Sequence, residues 1–435
     1  MKKNVIVSVV LVVVMVVALS VILSFTISGS KDETANGFGE GCQTVQAVED
    51  LIGINSDTGA MGTPSVTTKT LGVNSTPPHA AFGDEVVYQD VRIGNDSDIF
   101  VYDISSDTET QITNTDNIEI YPDINEDYIV WCSYIYDGQR SVKLYDRSTS
   151  TTTTISANDW KPNQPVLYED YIIWTETLRI IDGEGITTGS QCRIVYYDMS
   201  SSTRYNLGPY DGGAMTFDAD GDYLVWNVNG NGLDVMGCDM STNTQFTICN
   251  ANRDQYWPKI DGNYVVWEDH RNNYNSDDPN ANPPVVDHDY GDIYGYDLST
   301  STEFVIDNYV GITSMSPTIS DGNCSYLCCT CGDITQPSAV CMTPISFPIT
   351  PPFNPVSTVV SQKSHAHIDD NFIVWADFRN NQWDAYGYSI SDDVEFRITN
   401  TPNSAERRAF MLNDSLCFIV SSSSMNKVSI LTPGN

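Results

Sequence analysis

Three groups of residues in this sequence have the types and spacing to do chemistry. Asp277, Asp278, Asp287, His288 and Asp289 crowd one Asn- and Pro-rich stretch. Clustered carboxylates offer the hard oxygen donors that suit Ca2+, although the spacing matches no EF-hand loop. His365 and His367 form a His-x-His pair. Residues two apart share one face of a strand, which is what two imidazoles need to hold one metal ion. The third group is a recurring acid–arginine set: Asp269, Arg271 and Asp292; Asp377, Arg379 and Asp384; Asp90, Arg92 and Asp98. A single catalytic centre has no use for three copies. An arginine clamping carboxylates at strand ends explains the repetition better. No Gly-x-Ser-x-Gly elbow is present, so a serine hydrolase would lack its nucleophile motif.

The 11 cysteines are compatible with an oxidising exterior, though the count is odd. Cys238 and Cys249 flank the turn around Asn243 and Thr244 symmetrically, which makes them the candidate disulfide. Cys341 is expected near Cys329 or Cys331. No paired Cys-x-x-Cys knuckles support a zinc site.

These residues sit on a repeated unit. Its clearest copy runs through residues 257–308, with PKIDGNYVVWEDHRNN followed by GDIYGYDLSTSTEFVID. The aromatic of YVVW recurs at Tyr88, Trp131, Trp174, Trp226, Trp267 and Trp375, with degenerate copies ending at Leu327 and Ile419. Most spacings are about 41–52 residues, within the range of propeller blades. Each copy reads as four short strands separated by turn residues, with no helical period. Such units cannot bury their apolar faces alone, but radial stacking buries both. The expected fold is all-β: a propeller of four-stranded blades, eight favoured and seven the alternative. The anchor aromatics, with Ile124, Leu167, Ile260, Ile319, Ile368 and Leu412, should form its layers. The last copy lacks an outer strand, and SVTTKTLG at residues 65–72 is placed to supply it and close the ring.

The pattern Pro-x-Ile-x-Gly-x-Tyr-Val-Val-Trp-x-Asp-x-Arg, then Asp-Ile-Tyr-x-Tyr-Asp-Leu-Ser-Thr, resembles the TolB-like propeller repeat, in particular that of archaeal and bacterial cell-surface proteins. The resemblance covers about residues 76–432. It implies a scaffold that engages other macromolecules. TolB-like oligogalacturonate lyases use propeller histidines and a metal, which gives His365 and His367 a second meaning.

The chain starts with Lys2 and Lys3 and an uncharged, apolar run at residues 5–27. That run has the length of a membrane-spanning helix, with the basic end cytoplasmic and the rest outside. Residues 1–28 are thus expected to be an anchor or signal segment, 29–62 a polar tether containing a short helix at 43–52, and 63–435 the propeller. Sequons at Asn74, Asn95, Asn323 and Asn413 agree with an outside address. The net charge of −36, from 57 acidic and 21 basic residues, repels nucleic-acid phosphates and attracts cations or a basic partner.

The expected function is a single-pass, cell-surface binding or adhesion scaffold whose partner is an envelope protein or a surface glycan. The alternatives are a metal-assisted polysaccharide lyase or hydrolase, and a structural surface-layer component. No cofactor is firmly implied; Ca2+ is the ion the acidic loop would take. Insertions at residues 175–191 and 268–291 both interrupt the second-to-third strand loop. They should therefore share one face, the expected recognition face.

Overall fold

The computed structural model describes residues 65–70 and 80–432, except 92–95, 136–137, 158–159, 183–185, 213–214, 231, 273–290, 310–311, 331–337, 346–354, 358, 360, 401–405, 414–415 and 422–426. The regular structure of the described residues is entirely β. The strands form eight sheets, seven with four strands and one with three. The expectation of eight four-stranded blades is therefore corrected to seven. Among the described residues, the sixth sheet in chain order has three strands, Ile312–Ser320, Asn323–Thr330 and Ser338–Pro344. The sequence after it carries Pro348, Pro351, Pro352 and Pro355, none of which can donate to a ladder. Among the described residues that follow, two isolated bridges, Cys341↔Pro355 and Ser338↔Ser361, tie the chain to the third strand.

The sheets are arranged in a ring. The first strand of each sheet touches the first strands of its neighbours: Phe217–Asp220 meets Gln255–Asp261, which meets Ile312–Ser320, which meets Lys363–Asp369. Lys363–Asp369 meets Glu406–Asn413, and Glu406–Asn413 meets Ala80–Phe82 of the first sheet. First strands therefore line the inside. Their inward edges carry amides that no further strand can satisfy. Neighbouring side chains satisfy several of them. Asp123 Oδ2 accepts from Leu167 N at 2.7 Å, Asp218 Oδ2 from Ile260 N at 3.0 Å, and Thr318 Oγ1 from Ile368 N at 3.1 Å. Part of the acidic composition is thus structural.

The last sheet closes the ring as expected. Ser65–Thr70 pairs antiparallel with Lys427–Thr432, Ser65 opposite Thr432 and Thr70 opposite Lys427. The anchor aromatics are core: Trp174, Trp226, Trp267 and Trp375 are fully buried and Trp131 nearly so. Ile124, Ile260 and Ile368 are buried with them, while Leu167 and Ile319 pack at the margins of the same clusters.

The expected membrane segment, the tether and the short helix at 43–52 lie outside the described residues. Among the described residues no helix is long and apolar enough to cross a membrane.

The expected Cys238–Cys249 disulfide is corrected: both thiols are free and buried. The hairpin turns earlier than the symmetry of the two cysteines requires. Cys238 lies opposite Gln245, and a bulge then sets Cys249 opposite Val235. The two sulfurs join apolar clusters on opposite faces of the sheet. The disulfide is instead Cys328–Cys341, with Cα atoms 6.7 Å apart. The register puts Cys329 opposite Ser338, whereas Cys328 and Cys341 share one apolar cluster.

Candidate functional site

The acid–arginine sets are parts of the sheets. In the sequence Trp-x-Asp the two side chains share one strand face, and the carboxylate accepts a hydrogen bond from the indole N–H. Trp267 Nε1 donates to Asp269 Oδ2 at 2.8 Å and Trp375 Nε1 to Asp377 Oδ2 at 3.2 Å. Trp174-x-Glu176 repeats the arrangement at 2.8 Å. Arg271 clamps Asp269 at 2.7 Å and Glu303 at 2.6 Å, with its guanidinium 4.1 Å from the Tyr294 ring centroid. Arg379 does the same with Asp377, Glu395 and Tyr386. Arg193 and Arg204 converge on Glu176. Where Ser133 replaces the acid, the Trp131 indole nitrogen has no partner. In the first set Asp98 accepts from Gln111 and Thr113, and Arg92 lies outside the described residues. The charged groups of these sets bond chiefly within their own sheets as clamps, and Arg271 also reaches Cys249 of the fourth sheet at 3.1 Å.

Asp277, Asp278, Asp287, His288 and Asp289 lie outside the described residues. The base of their loop is described. Asn272 Nδ2 donates to Asp292 Oδ2 at 2.7 Å and to the Tyr294 hydroxyl at 3.1 Å. Burial pushes the Asp292 carboxyl up to about 6, against the pull of Asn272.

His365 and His367 are placed on the inner strand Lys363–Asp369, as expected. A bulge between Ser364 and His367 inserts an extra residue there, so the two-residue alternation that put both imidazoles on one face no longer holds across it. The His367 imidazole is pushed down to about 4 by burial, and its Nδ1 has no hydrogen-bond partner. The His365 side chain is outside the described residues. No group of three or more His, Cys, Asp or Glu fit to hold a metal occurs among the described residues.

The two rims of the ring differ in chemistry. One rim carries the first-to-second and third-to-fourth turns. There Asp103, Asp146, Asp198, Asp239 and Asp297 each accept from Ser or Thr two and three residues on. These bonds hold the five carboxyls below the usual carboxylate range, so these turns are polar and ionised. The other rim carries the second-to-third loops and the links between sheets, and most exposed large apolar residues are on it. Val91 and Ile135 follow second strands. Tyr309 and Val359 lie in inter-sheet links. The hairpin of Tyr171–Ile181 and Thr187–Asp198 outruns its neighbours and carries Ile180, Ile181 and Ile186 exposed at its end. The exceptions are Phe82, Val166, Trp257 and Val305.

Sequence reasoning missed two residues. Trp257, 44% exposed on an inner strand, lies outside the anchor pattern. Its signal was that the residue before the inner-strand proline varies, as Tyr121, Gln164, Trp257 and Ser316, while the proline recurs. Glu119, only 2% exposed, was hidden in an apolar strand. Thr115 Oγ1 donates to its Oε1 at 2.8 Å and Ser133 Oγ at 3.4 Å, while Oε2 has no partner. Burial pushes this carboxyl up to about 7. The folded state thus holds the proton longer than the unfolded one. Its contribution to stability is full below pH about 4.5 and is lost as pH rises through about 7. Glu119→Gln should remove that loss and stabilise the protein at pH 8 by on the order of 2 kcal/mol relative to its parent. Denaturant midpoints of both proteins at pH 4 and 8 check this. A gap that does not widen with pH would refute it. His367 has the opposite sign in the same window, so only the difference between variant and parent is informative.

Solved structures similar to the chain are propeller proteins. The propeller domain of the trilobed protease from Pyrococcus furiosus is 12% identical, with a TM-score of 0.48, over 76% of this chain and 97% of that one. An oligogalacturonate lyase in complex with manganese is 12% identical, with a TM-score of 0.45, over 86% of this chain and 98% of that one. TolB from Acinetobacter baumannii is 14% identical, with a TM-score of 0.35, over 72% of this chain and 79% of that one. No protein-family model and no curated protein matches the chain. What it shares with these structures is the β-propeller fold.

Proposed function

We propose that the chain is a binding scaffold that docks an envelope protein through the rim bearing the second-to-third strand loops. The observation that carries this reading is the segregation of exposed apolar residues onto that rim, culminating in the Ile180, Ile181 and Ile186 hairpin tip. Protruding isoleucines gain little from hydroxylated sugars and much from an apolar protein pocket. The opposite rim, with its ionised Asp turns, is made for water. The net charge of −36 favours a partner with basic groups around that pocket. The apolar run at residues 5–27 supports a membrane-anchored, cell-surface address for the scaffold. In this reading the acidic loop at 273–290 adds charge to the same rim, and Ca2+ is the ion it would take.

The test is proximity crosslinking on intact cells with a photoreactive residue at position 188. The triple variant Ile180→Ser, Ile181→Ser, Ile186→Ser should lower capture of the crosslinked protein at least tenfold, since removing several buried apolar side chains costs well over one tenfold step. Deleting residues 273–290 should leave the protein folded and weaken capture. Undiminished capture by the triple variant would rule out this rim as the docking surface.

A further inference from the structure

The inner strand of the fifth sheet exposes one large aromatic side chain where its neighbours are buried. Along Gln255–Asp261, Gln255, Pro258 and Ile260 are buried, while Trp257 is 44% exposed. Trp257 is the bulge residue of that strand, with the register shifting between Tyr256 and Lys259 and a left-handed φ of 50°. The same bulge recurs at Tyr121, Gln164 and Ser316, each before a proline and each left-handed. The backbone device is therefore architectural, and the side chain at the bulge is free to differ from sheet to sheet. In the fifth sheet it is an indole.

That indole stands on a supporting stack of described side chains, whose cross-sheet bond has a counterpart in that of Gln89 with Tyr121 N at 2.8 Å. Its ring packs on Tyr256, centroids 5.5 Å apart and tilted 37°. Tyr256 is fixed twice: its hydroxyl donates to Asp254 Oδ2 at 2.8 Å, and its ring meets His270 edge-on at 5.1 Å. His270 Nε2 bonds Glu268 Oε1 at 2.8 Å, and the other Glu268 oxygen accepts from Ser316 N of the sixth sheet at 2.9 Å. The equivalents of Glu268 and His270 are Cys132 and Tyr134, Thr175 and Thr177, and Ala376 and Phe378. An exposed aromatic ring with its support locked by hydrogen bonds across two sheets is a preorganised stacking surface.

We propose that Trp257 is the stacking platform of a glycan site on the inner wall of the ring, taking uncharged or amino-substituted sugar rings. Strand addition by a peptide is disfavoured because Ile260 N and Gly262 N of this edge are already bonded to Asp218 and Asp220. The sugar's apolar face meets the indole. The carboxylates of Asp254 and Glu268 close by, within a chain of net charge −36, discriminate against uronates and favour amino sugars. This inference goes beyond the docking rim and uses different residues, so either can fail alone.

The experiment applies the full-length protein to a printed array of neutral, amino-substituted and uronate oligosaccharides. Trp257→Gly removes the ring at a backbone conformation that glycine adopts freely, and Trp257→Phe keeps a smaller aromatic face. Neutral or amino-substituted glycans should be retained by the parent, about tenfold less by Trp257→Gly and within a few-fold by Trp257→Phe, with unchanged far-UV circular dichroism. Rescue by Phe separates stacking from a structural role. Absence of any neutral or amino-substituted ligand, retention of uronates only, or equal binding by Trp257→Gly would overturn the proposal. So would Trp257-dependent binding of a tetralysine peptide with no glycan bound.

Discussion

Replacing Asp377 with Ala should destabilise the protein by about 3–5 kcal/mol, the cost of stripping one partner from a buried ion pair. Asp377 is fully buried, accepts from three side-chain donors and pairs with a fourth cationic group. Ser361 Oγ donates to it at 2.6 Å, Arg379 at 2.6 Å and the Trp375 indole at 3.2 Å, and Lys363 Nζ lies 3.7 Å away. Burial alone would raise this carboxyl, but Arg379 and Lys363 hold it below the usual carboxylate range. Lys363 is pushed down to about 8 by the same burial, and Asp377 is the charge that keeps it protonated at neutral pH. Without the carboxylate, a buried ammonium and a half-buried guanidinium would remain in the seam between the sixth and seventh sheets. The amine would keep only Ser338 O, Val359 O and Ser361 Oγ. Denaturant midpoints should show this loss, with a smaller one for Asp377→Asn. Equal stability of Asp377→Ala and parent would mean that the cluster is hydrated.

Ring closure carries the second large effect. A chain beginning at residue 65 retains the closing strand, and one beginning at residue 73 loses it. The six residue pairs of Ser65–Thr70 with Lys427–Thr432 correspond to about 3 kcal/mol or more of net ladder bonding, at roughly 0.5–1.5 kcal/mol per bond. Val66 also packs against the apolar cluster of Phe372, Phe396 and Met411. The shorter chain should melt lower by on the order of 5–10 °C. It should also be nicked first near Lys427, because the next strand becomes an unpaired edge. Identical melting of the two chains would show that the last sheet is stable with three strands.

Much of this was legible because the repeat is redundant. The Trp-x-Asp and Trp-x-Glu spacing at 267, 375 and 174 encodes both the buried ring and the partner for its indole. The count of complete blades was not legible at residues 345–362. An apolar sheet was recognisable there, but which strands pair depends on where prolines interrupt the ladder. Cysteine partners failed for a related reason. Cys238 and Cys249 look symmetric in sequence, yet a turn two residues earlier and one bulge move them to opposite faces. Strand register is a property of the pair of strands and cannot be read from one alone.

The all-β repeat, the aromatic core, the closing strand and the structural role of the acid–arginine sets can be read from residue order alone. Each follows from local spacing repeated several times. The tertiary structure alone decided which residues are exposed together. It separated the ionised Asp rim from the apolar rim, buried Glu119, and turned Trp257 out of a strand whose pattern reads as core. The physical reason is that exposure belongs to the neighbours as much as to the residue. Whether an aromatic side chain is covered depends on a bulge and on the next sheet around the ring, and neither is written at its own position.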